Sequence, residues 1–378
     1  MALLYLESFD GIDTATAGSS HSNFESWASR RCENYVFAGG SGPELFTAYA
    51  WGGNGHCMMF GDDGNADSNY IELHAMSGND TYITGIAIKP GIYVGDNNGT
   101  QKLDEIMEWR NITEDVTHIT VDMVDGLHLR FNRGTSSYIT HVNNALRTGV
   151  WQFLEIKITM HETAGAIEVR VNGNEILNET GLNTKDDDGT ATEFETIKLM
   201  GVDGTADDAG NTYFDDWYIC DDTGSNNNDF LGPLKVETLL PTADSTSNWS
   251  AYDGTNFDPP TAITRWEMMD NVPQVDDDSS VIYSSTASQQ ETFVIEDLSF
   301  INGDIFGVKM DYDGRNLGSS DTFKALLDSG GSTTTSSALT IPTTTYADAP
   351  FACFDVDPQG GGDFTVSRIN ALLTGVEK

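Results

Sequence analysis

Residues 151–182, WQFLEIKITMHETAGAIEVRVNGNEILNETGL, restrict the choice of fold more than any other stretch of the chain. Leu154, Ile156, Ile158 and Met160 fall on one side of an extended backbone, and Phe153, Glu155, Lys157 and Thr159 fall on the other. The alternation resumes after Gly165, where Ile167, Val169 and Val171 are set against Glu168, Arg170 and Asn172. Period-two alternation puts successive side chains on opposite faces of a sheet. Asn172-Gly173 accepts positive φ cheaply and marks a tight turn. The pattern predicts an antiparallel meander with one buried face.

Similar runs flank it. Leu3–Leu6, Tyr70–His74, Tyr82–Ile88, Glu105–Arg110, His118–Val124, Gly126–Asn132, Tyr138–Val142, Phe194–Met200 and Tyr213–Cys220 all read as strands. Residues 11–60 read as short strands joined by long loops, and no helix is predicted before residue 222. So many strands imply two packed sheets or a barrel. DDTGSNNND, Asp221–Asp229, buries almost nothing and reads as an exit loop, with the domain boundary at Gly232. A second β segment follows, with strands expected at Leu234–Leu240, Glu291–Leu298, Ile305–Asp311, Thr322–Asp328, Ala338–Ile341 and Ala352–Val356. Val366, Ile369, Leu372 and Leu373 share a helical face, which predicts a short helix stopped by Gly375. The expected fold class is therefore all-β: a two-sheet jelly roll over residues 1–231, then a smaller β-sandwich over 232–378 ending in that helix.

Charge limits the partners. The chain holds 59 acids against 19 bases, a net of −40. Both segments share the excess, with 37 acids and 12 bases before Gly232 and 22 and 7 from there on. Such a surface repels nucleic acid and anionic membranes, and it suits a saline setting or bound divalent cations. No stretch approaches the roughly 20 apolar residues that span a bilayer. MALLYLESFD lacks the basic and apolar regions of a secretion signal, so synthesis and assembly in a cytoplasm are expected. Cys32, Cys57, Cys220 and Cys353 have no CxxC spacing and read as buried thiols.

Thr212–Asp244, TYFDDWYICDDTGSNNNDFLGPLKVETLLPTAD, resembles a junction found in tailed-phage and prophage virion structural proteins. In those proteins a concanavalin A-like (laminin-G-like) jelly roll leads into a β-rich C-terminal domain. The endings FKALLDSGG and FDVDPQGGGDFTVSRINALLTGVE, the opening LESFDG and the central WQFLEIKI and EVRVNG are similar too. Gly360–Phe364 departs from the family pattern, which has Thr and Trp there, and residues 14–100 match weakly. The resemblance implies a non-enzymatic virion component, assembled in the host cytoplasm, that works as a homo-oligomer among other virion proteins. Within that class we expect a tail or fibre protein presenting a glycan-binding jelly roll to the host surface. A capsid decoration protein is the alternative, and a polysaccharide-degrading tail enzyme is the alternative of another class.

The chemistry-bearing residues favour binding over turnover. Glycosidases need two carboxylates about 5–9 Å apart across a cleft. Asp104-Glu105-Ile106-Met107-Glu108 places acids on both faces of a regular strand, so no catalytic pair is expected. The seven His are scattered, with no zinc spacing and no nucleophile elbow. Calcium is the cofactor the acidic turns would suit. Asp63, Asn65 and Asp67 resemble half of an EF-hand loop, although Ser68 stands where that loop needs Gly and His74 where it needs Glu. Asp215 and Asp216 sit on a strand, where one side chain has to face inward and find a partner or an ion. The plain alternative for every such cluster is a solvated turn. Trp27, Tyr49 and Trp51 fall in the loop-rich region and are the expected platforms for sugar rings, while Trp109, Trp151 and Trp217 read as core.

Overall fold

The computed structural model describes residues 2–12, 20–36, 44–47, 49–53, 55–60, 69–91, 103–125, 127–134, 137–201, 212–252, 256, 264–269, 280–316, 321–341 and 350–378. The chain divides into two compact units, Ala2–Val236 and Glu237–Lys378. Gly232–Val236, read from the sequence as the opening of the second segment, instead completes the first.

The first unit begins with β1 (Leu3–Glu7), α1 (Ser20–Arg31), β2 (Cys32–Val36), β3 (Glu44–Phe46), β4 (Cys57–Phe60) and β5 (Tyr70–Leu73). It continues with β6 (Thr81–Lys89), β7 (Leu103–Asn111), β8 (Val116–Val124), β9 (His128–Arg133) and β10 (Ser137–Val142). β11 (Gln152–Thr159), β12 (Gly165–Val171), β13 (Asn174–Leu182), β14 (Thr196–Met200) and β15 (Thr212–Asp221) complete it. An eight-stranded sheet runs β13-β12-β11-β6-β15-β4-β3, with β1 also on β15; a seven-stranded sheet runs β10-β9-β8-β7-β14-β5-β2. All pairings are antiparallel, and the chain passes repeatedly from one sheet to the other, giving the expected jelly-roll sandwich. Leu154, Ile156, Ile158, Ile86 and Ile88 face the core from the first sheet; Ile71, Met107, Trp109, Val121, Phe131 and Leu199 face it from the second. The Trp217 indole N–H, fully buried, donates to Thr84 Oγ1 at 2.8 Å.

The central meander forms as read, with Asn172 and Gly173 at φ 52° and 75° in its turn. It does not have a single buried face. Phe153 and Glu155, on the outer side of β11, are both fully buried. A strap, residues 229–236, lies over them. Phe230, Leu231 and Leu234 pack on Phe153, Ile83, Ala87, Tyr218 and Cys220. Tyr218 crosses β6 at Gly85, where a Cβ would stand 2.1 Å from its ring, and donates to Glu155 Oε1 at 2.7 Å. The same oxygen accepts Gly232 N–H at 2.7 Å, and Tyr218 Oη accepts Leu231 N–H at 3.1 Å.

The helix α1 was not expected. Only Phe24, Trp27 and Ala28 give it an apolar face, and they are buried, with Phe24 and Trp27 packed on Phe9. Arg30 and Arg31 occupy its last turn, where cations favour the helix dipole.

The second unit holds β16 (Pro241–Ser247), β17 (Ser250–Tyr252), β18 (Val281–Tyr283), β19 (Gln290–Ile295), β20 (Val308–Asp311) and β21 (Asp321–Ser329). β22 (Ser332–Thr335), β23 (Leu339–Ile341), β24 (Phe351–Phe354), α2 (Val366–Ile369) and β25 (Leu372–Glu377) follow. A six-stranded sheet runs β16-β19-β25-β21-β22, with β23 on β21. The β20–β24 ribbon contributes Ala352, Phe354, Val308 and Met310 to the core formed with Ile295, Ala325, Leu327 and Leu372, so this unit is also a small sandwich. Two readings are corrected here. Leu234–Leu240 is not a strand, and pairing begins only at Pro241. The C-terminal helix is a single turn capped by Thr365, and Gly375 lies within β25. Its lack of a side chain lets β19 approach, since a Cβ there would meet Glu291 O at 1.9 Å.

Candidate functional site

The seven-stranded sheet carries an unusual outer face. Strand pairing aligns Asn34, Glu72, Lys198, Glu108, Thr120 and Asn132 in one row across six strands. Above part of this row lies a depression of about 450 Å³ lined by Glu33, Asn34, Tyr70, Glu72, Glu108, Arg110, Ile112, Asp115, Thr117 and Lys198. Arg110 reaches the row from two positions further along β7, where alternation puts it on the same face as Glu108.

The row is a chain of alternating charge. Lys198 Nζ donates to Glu108 Oε1 at 2.9 Å, Thr117 Oγ1 donates to Glu108 Oε2 at 2.8 Å, and Arg110 Nη1 pairs with Glu72. Glu72 and Glu108 are 2% and 6% exposed. A buried ion-pair network contributes little stability relative to apolar packing of the same volume. Its place on an outer face beneath a depression therefore points to a role other than holding the fold.

One shift of register alters the chemistry expected of β7. The pairing slips between Glu105 and Met107, a bulge that adds a residue and changes the parity of the strand. Glu105 and Glu108 thereby come to the same outer side, where each alters the other's hold on its proton. The reading that acids here lie on opposite faces is corrected by that bulge. Burial, reinforced by Glu108, pushes Glu105 up to about 8, so it keeps its proton at neutral pH. Burial also acts to raise Glu108, but Glu105 and the hydrogen bonds from Lys198 and Thr117 outweigh it and hold Glu108 below the ordinary carboxylate value. Further along, Asp122 accepts Asn132 Nδ2 at 2.8 Å, and Arg130 Nε donates to Asn132 Oδ1 at 2.8 Å.

The residues singled out in the sequence lie elsewhere. Trp27 is 6% exposed on α1 and offers no ring to a ligand, because the helix turns it onto Phe9 and Phe24. Tyr49 is 44% exposed, with its ring 5.1 Å from that of Tyr213 and Lys89 Nζ 4.5 Å above it. Trp51 is half-buried against Trp151 and Phe153, with its indole N–H donated to Leu234 O at 3.3 Å. Tyr49 and Trp51 are thus neighbours on the side of the eight-stranded sheet, away from the charged row.

Asp215 and Asp216 are both buried, at 3% and 2% exposure. A bulge in β15 lets both turn away from solvent, with Asp216 at φ 45°. Asp215 Oδ2 accepts Trp51 N–H at 2.8 Å and Asp216 Oδ1 accepts Val236 N–H at 2.9 Å, while Asp216 Oδ2 has no hydrogen-bond partner. Burial raises both, Asp215 to about 9 with Asp216 adding to it, and Asp216 to about 8. The partner sought for the inward aspartate is thus the backbone of two distant segments. Asp63, Asn65 and Asp67 lie outside the described residues. Among the described residues no group of three or more His, Cys, Asp or Glu side chains is arranged to hold a metal ion, and no helix is long and apolar enough to cross a membrane. All four cysteines are buried free thiols.

No protein-family model matches the chain, and no curated protein matches it either. Among solved structures it is similar to a cellulose-induced protein, Cip1, at TM-score 0.34 and 18% identity over 47% of this chain and 85% of that one. It is also similar to the alginate lyase Aly36B, at TM-score 0.36 and 10% identity over 58% and 96%. A third is an endo-1,3-beta-glucanase from Streptomyces sioyaensis, at TM-score 0.33 and 14% identity over 58% and 88%. Likeness at this level carries no argument about function.

Proposed function

We propose that the first unit is a glycan-binding module and that the chain carries it, without catalysis, on a tailed-virus particle as a homo-oligomer among other virion proteins. The observation that carries the binding reading is the cross-strand row of buried, paired charges and amides beneath a depression on the outer face of the seven-stranded sheet. Hydroxyl-rich ligands are recognised by such convergent polar groups beside an aromatic ring, here Tyr70. The particle is supported by the resemblance of residues 212–244 and of the chain's ending to virion proteins. A tail or fibre position fits a glycan-binding role, and a head-surface position is the alternative.

One observation favours a second reading, a glycan-degrading enzyme. Glu105 and Glu108 share a face and their proton affinities are pushed in opposite directions, as in acid–base pairs. Glu108 is 6% exposed and already held by Lys198 and Thr117, so it does not face a second carboxyl across an open cleft, which is why binding is preferred. A polysaccharide panel offered to the purified chain, scored for both retention and new reducing ends, tests the pair of readings. Retention without cleavage is the expected result; cleavage lost in Glu108→Gln would replace binding by catalysis. Immunogold labelling of intact particles tests the virion assignment, and unlabelled particles would refute it.

A further inference from the structure

Six charged side chains line the depression: the acids Glu33, Glu72, Glu108 and Asp115 and the bases Arg110 and Lys198. Neither base is open to a ligand. The guanidinium of Arg110 is engaged at all three nitrogens: with Glu72, with Asp115 at 2.6 Å, and with Thr117 Oγ1 at 3.2 Å. Lys198 Nζ is held by Glu108 at 2.9 Å and stands 4.1 Å from the centre of the Tyr70 ring. The two side chains are 14% and 13% exposed. The acids at the rim are the reverse: Asp115 is 89% exposed and Glu33 is 51% exposed. The charge a ligand meets on entering is therefore negative, on a chain whose net charge is −40. An anionic sugar would give up hydration, meet like charge, and find its complementary cations already paired. A cationic sugar would meet carboxylates exposed to solvent at the rim, with Asp115 Oδ1 on Arg110 and Glu33 Oε2 on His74.

We infer that this face prefers saccharides bearing protonated amino groups over uncharged ones, and uncharged ones over saccharides bearing carboxylates. The inference rests on the glycan-binding reading above and adds to it the charge of the ligand. Calorimetric titration of the full chain with a glucosamine oligomer, a neutral glucose oligomer and a uronate oligomer of equal length tests it. The amino sugar is expected to bind tightest, with an affinity that falls as NaCl is raised from about 0.05 M to about 0.5 M. The neutral oligomer is expected to bind more weakly and without salt dependence, and the uronate is expected not to bind. If the uronate binds as well as either other oligomer, or the neutral oligomer matches the amino sugar, the charge assignment is overturned and the glycan-binding reading stands. If none of the three binds, both fall.

Asp115→Asn places the ligand. Asp115 has φ 55°, which Asn tolerates, so folding is expected to survive. The substitution removes a rim charge and loosens one edge of Arg110. Affinity for the amino sugar should fall about two- to fivefold, and weak uronate binding should appear. Unchanged affinities in a folded variant would put the ligand elsewhere and overturn the assignment.

Discussion

Asp216→Asn is expected to stabilise the first unit at neutral and alkaline pH. The wild-type carboxyl is 2% exposed, has one oxygen without a partner, and is raised by burial to about 8 from an ordinary 3.8. Because the folded value lies above the unfolded one, the folded form holds this proton more tightly. The resulting stability is complete below pH about 4 and is withdrawn as pH rises towards about 8, beyond which both forms are ionised and the loss is constant. Each pH unit inside that window removes about 1.4 kcal/mol per group. At pH 7 the full loss would be about 4 kcal/mol, and allowing for the neighbouring Asp215, which competes for the same protons, about 2–4 kcal/mol is expected. Asparagine keeps the acceptor for Val236 N–H, suits φ 45°, and has no charge to bury. Urea unfolding followed by tryptophan fluorescence at pH 5, 7 and 9 measures the effect. The variant should gain on the wild type as pH rises, with a shallower pH slope between 5 and 8. A variant that is less stable at pH 8, or that keeps the wild-type slope, would refute the claim that this carboxyl is protonated in the folded chain.

Other substitutions probe other parts of the account. Glu155→Ala removes the acceptor for both Tyr218 Oη–H and Gly232 N–H; it should cost about 2–4 kcal/mol and expose residues 229–236 to limited proteolysis, and a strap still protected would show that apolar packing alone holds it. Gly375→Ala drives a methyl into Glu291 O and should cost about 3 kcal/mol or more, read by denaturant midpoint in the second unit; a neutral result would mean that β19 and β25 separate freely. Trp27→Ala empties a buried site between Phe9 and Phe24. It should lower stability by about 3–5 kcal/mol while leaving glycan affinity within twofold of wild type, and a selective loss of affinity would restore Trp27 as a ligand contact.

The strands were legible because alternation is a local signal. What a strand faces was less so. The outer side of β11 alternates as though exposed, and Glu155 looks like a surface residue until residues 229–236, over seventy positions away, return to cover it. α1 escaped detection because three apolar residues among twelve leave little period to read. The charged row could not be read at all, since it joins Asn34, Glu72, Glu108, Thr120, Asn132 and Lys198 only through strand register. Glu105 and Glu108 were noticed in the sequence, yet a regular strand assigns them to opposite sides. A single inserted residue reverses that geometry, and nothing in Ile106-Met107 announces it. Asp215 and Asp216 were read as requiring one inward side chain with a partner or an ion, because two adjacent acids on a strand cannot both avoid the interior; the bulge in β15, which no local pattern announces, buries both.

The strap makes the two backs of the sandwich chemically unequal. Beneath it, Phe153, Tyr218 and Glu155 fit together like parts of a lock, and a change there decides whether the polypeptide survives. Across the molecule, Asn34, Tyr70, Thr117 and Asp115 line a depression and, on the proposed reading, meet a ligand. A lineage can revise that second set while leaving the first untouched, so tastes can drift as the body persists.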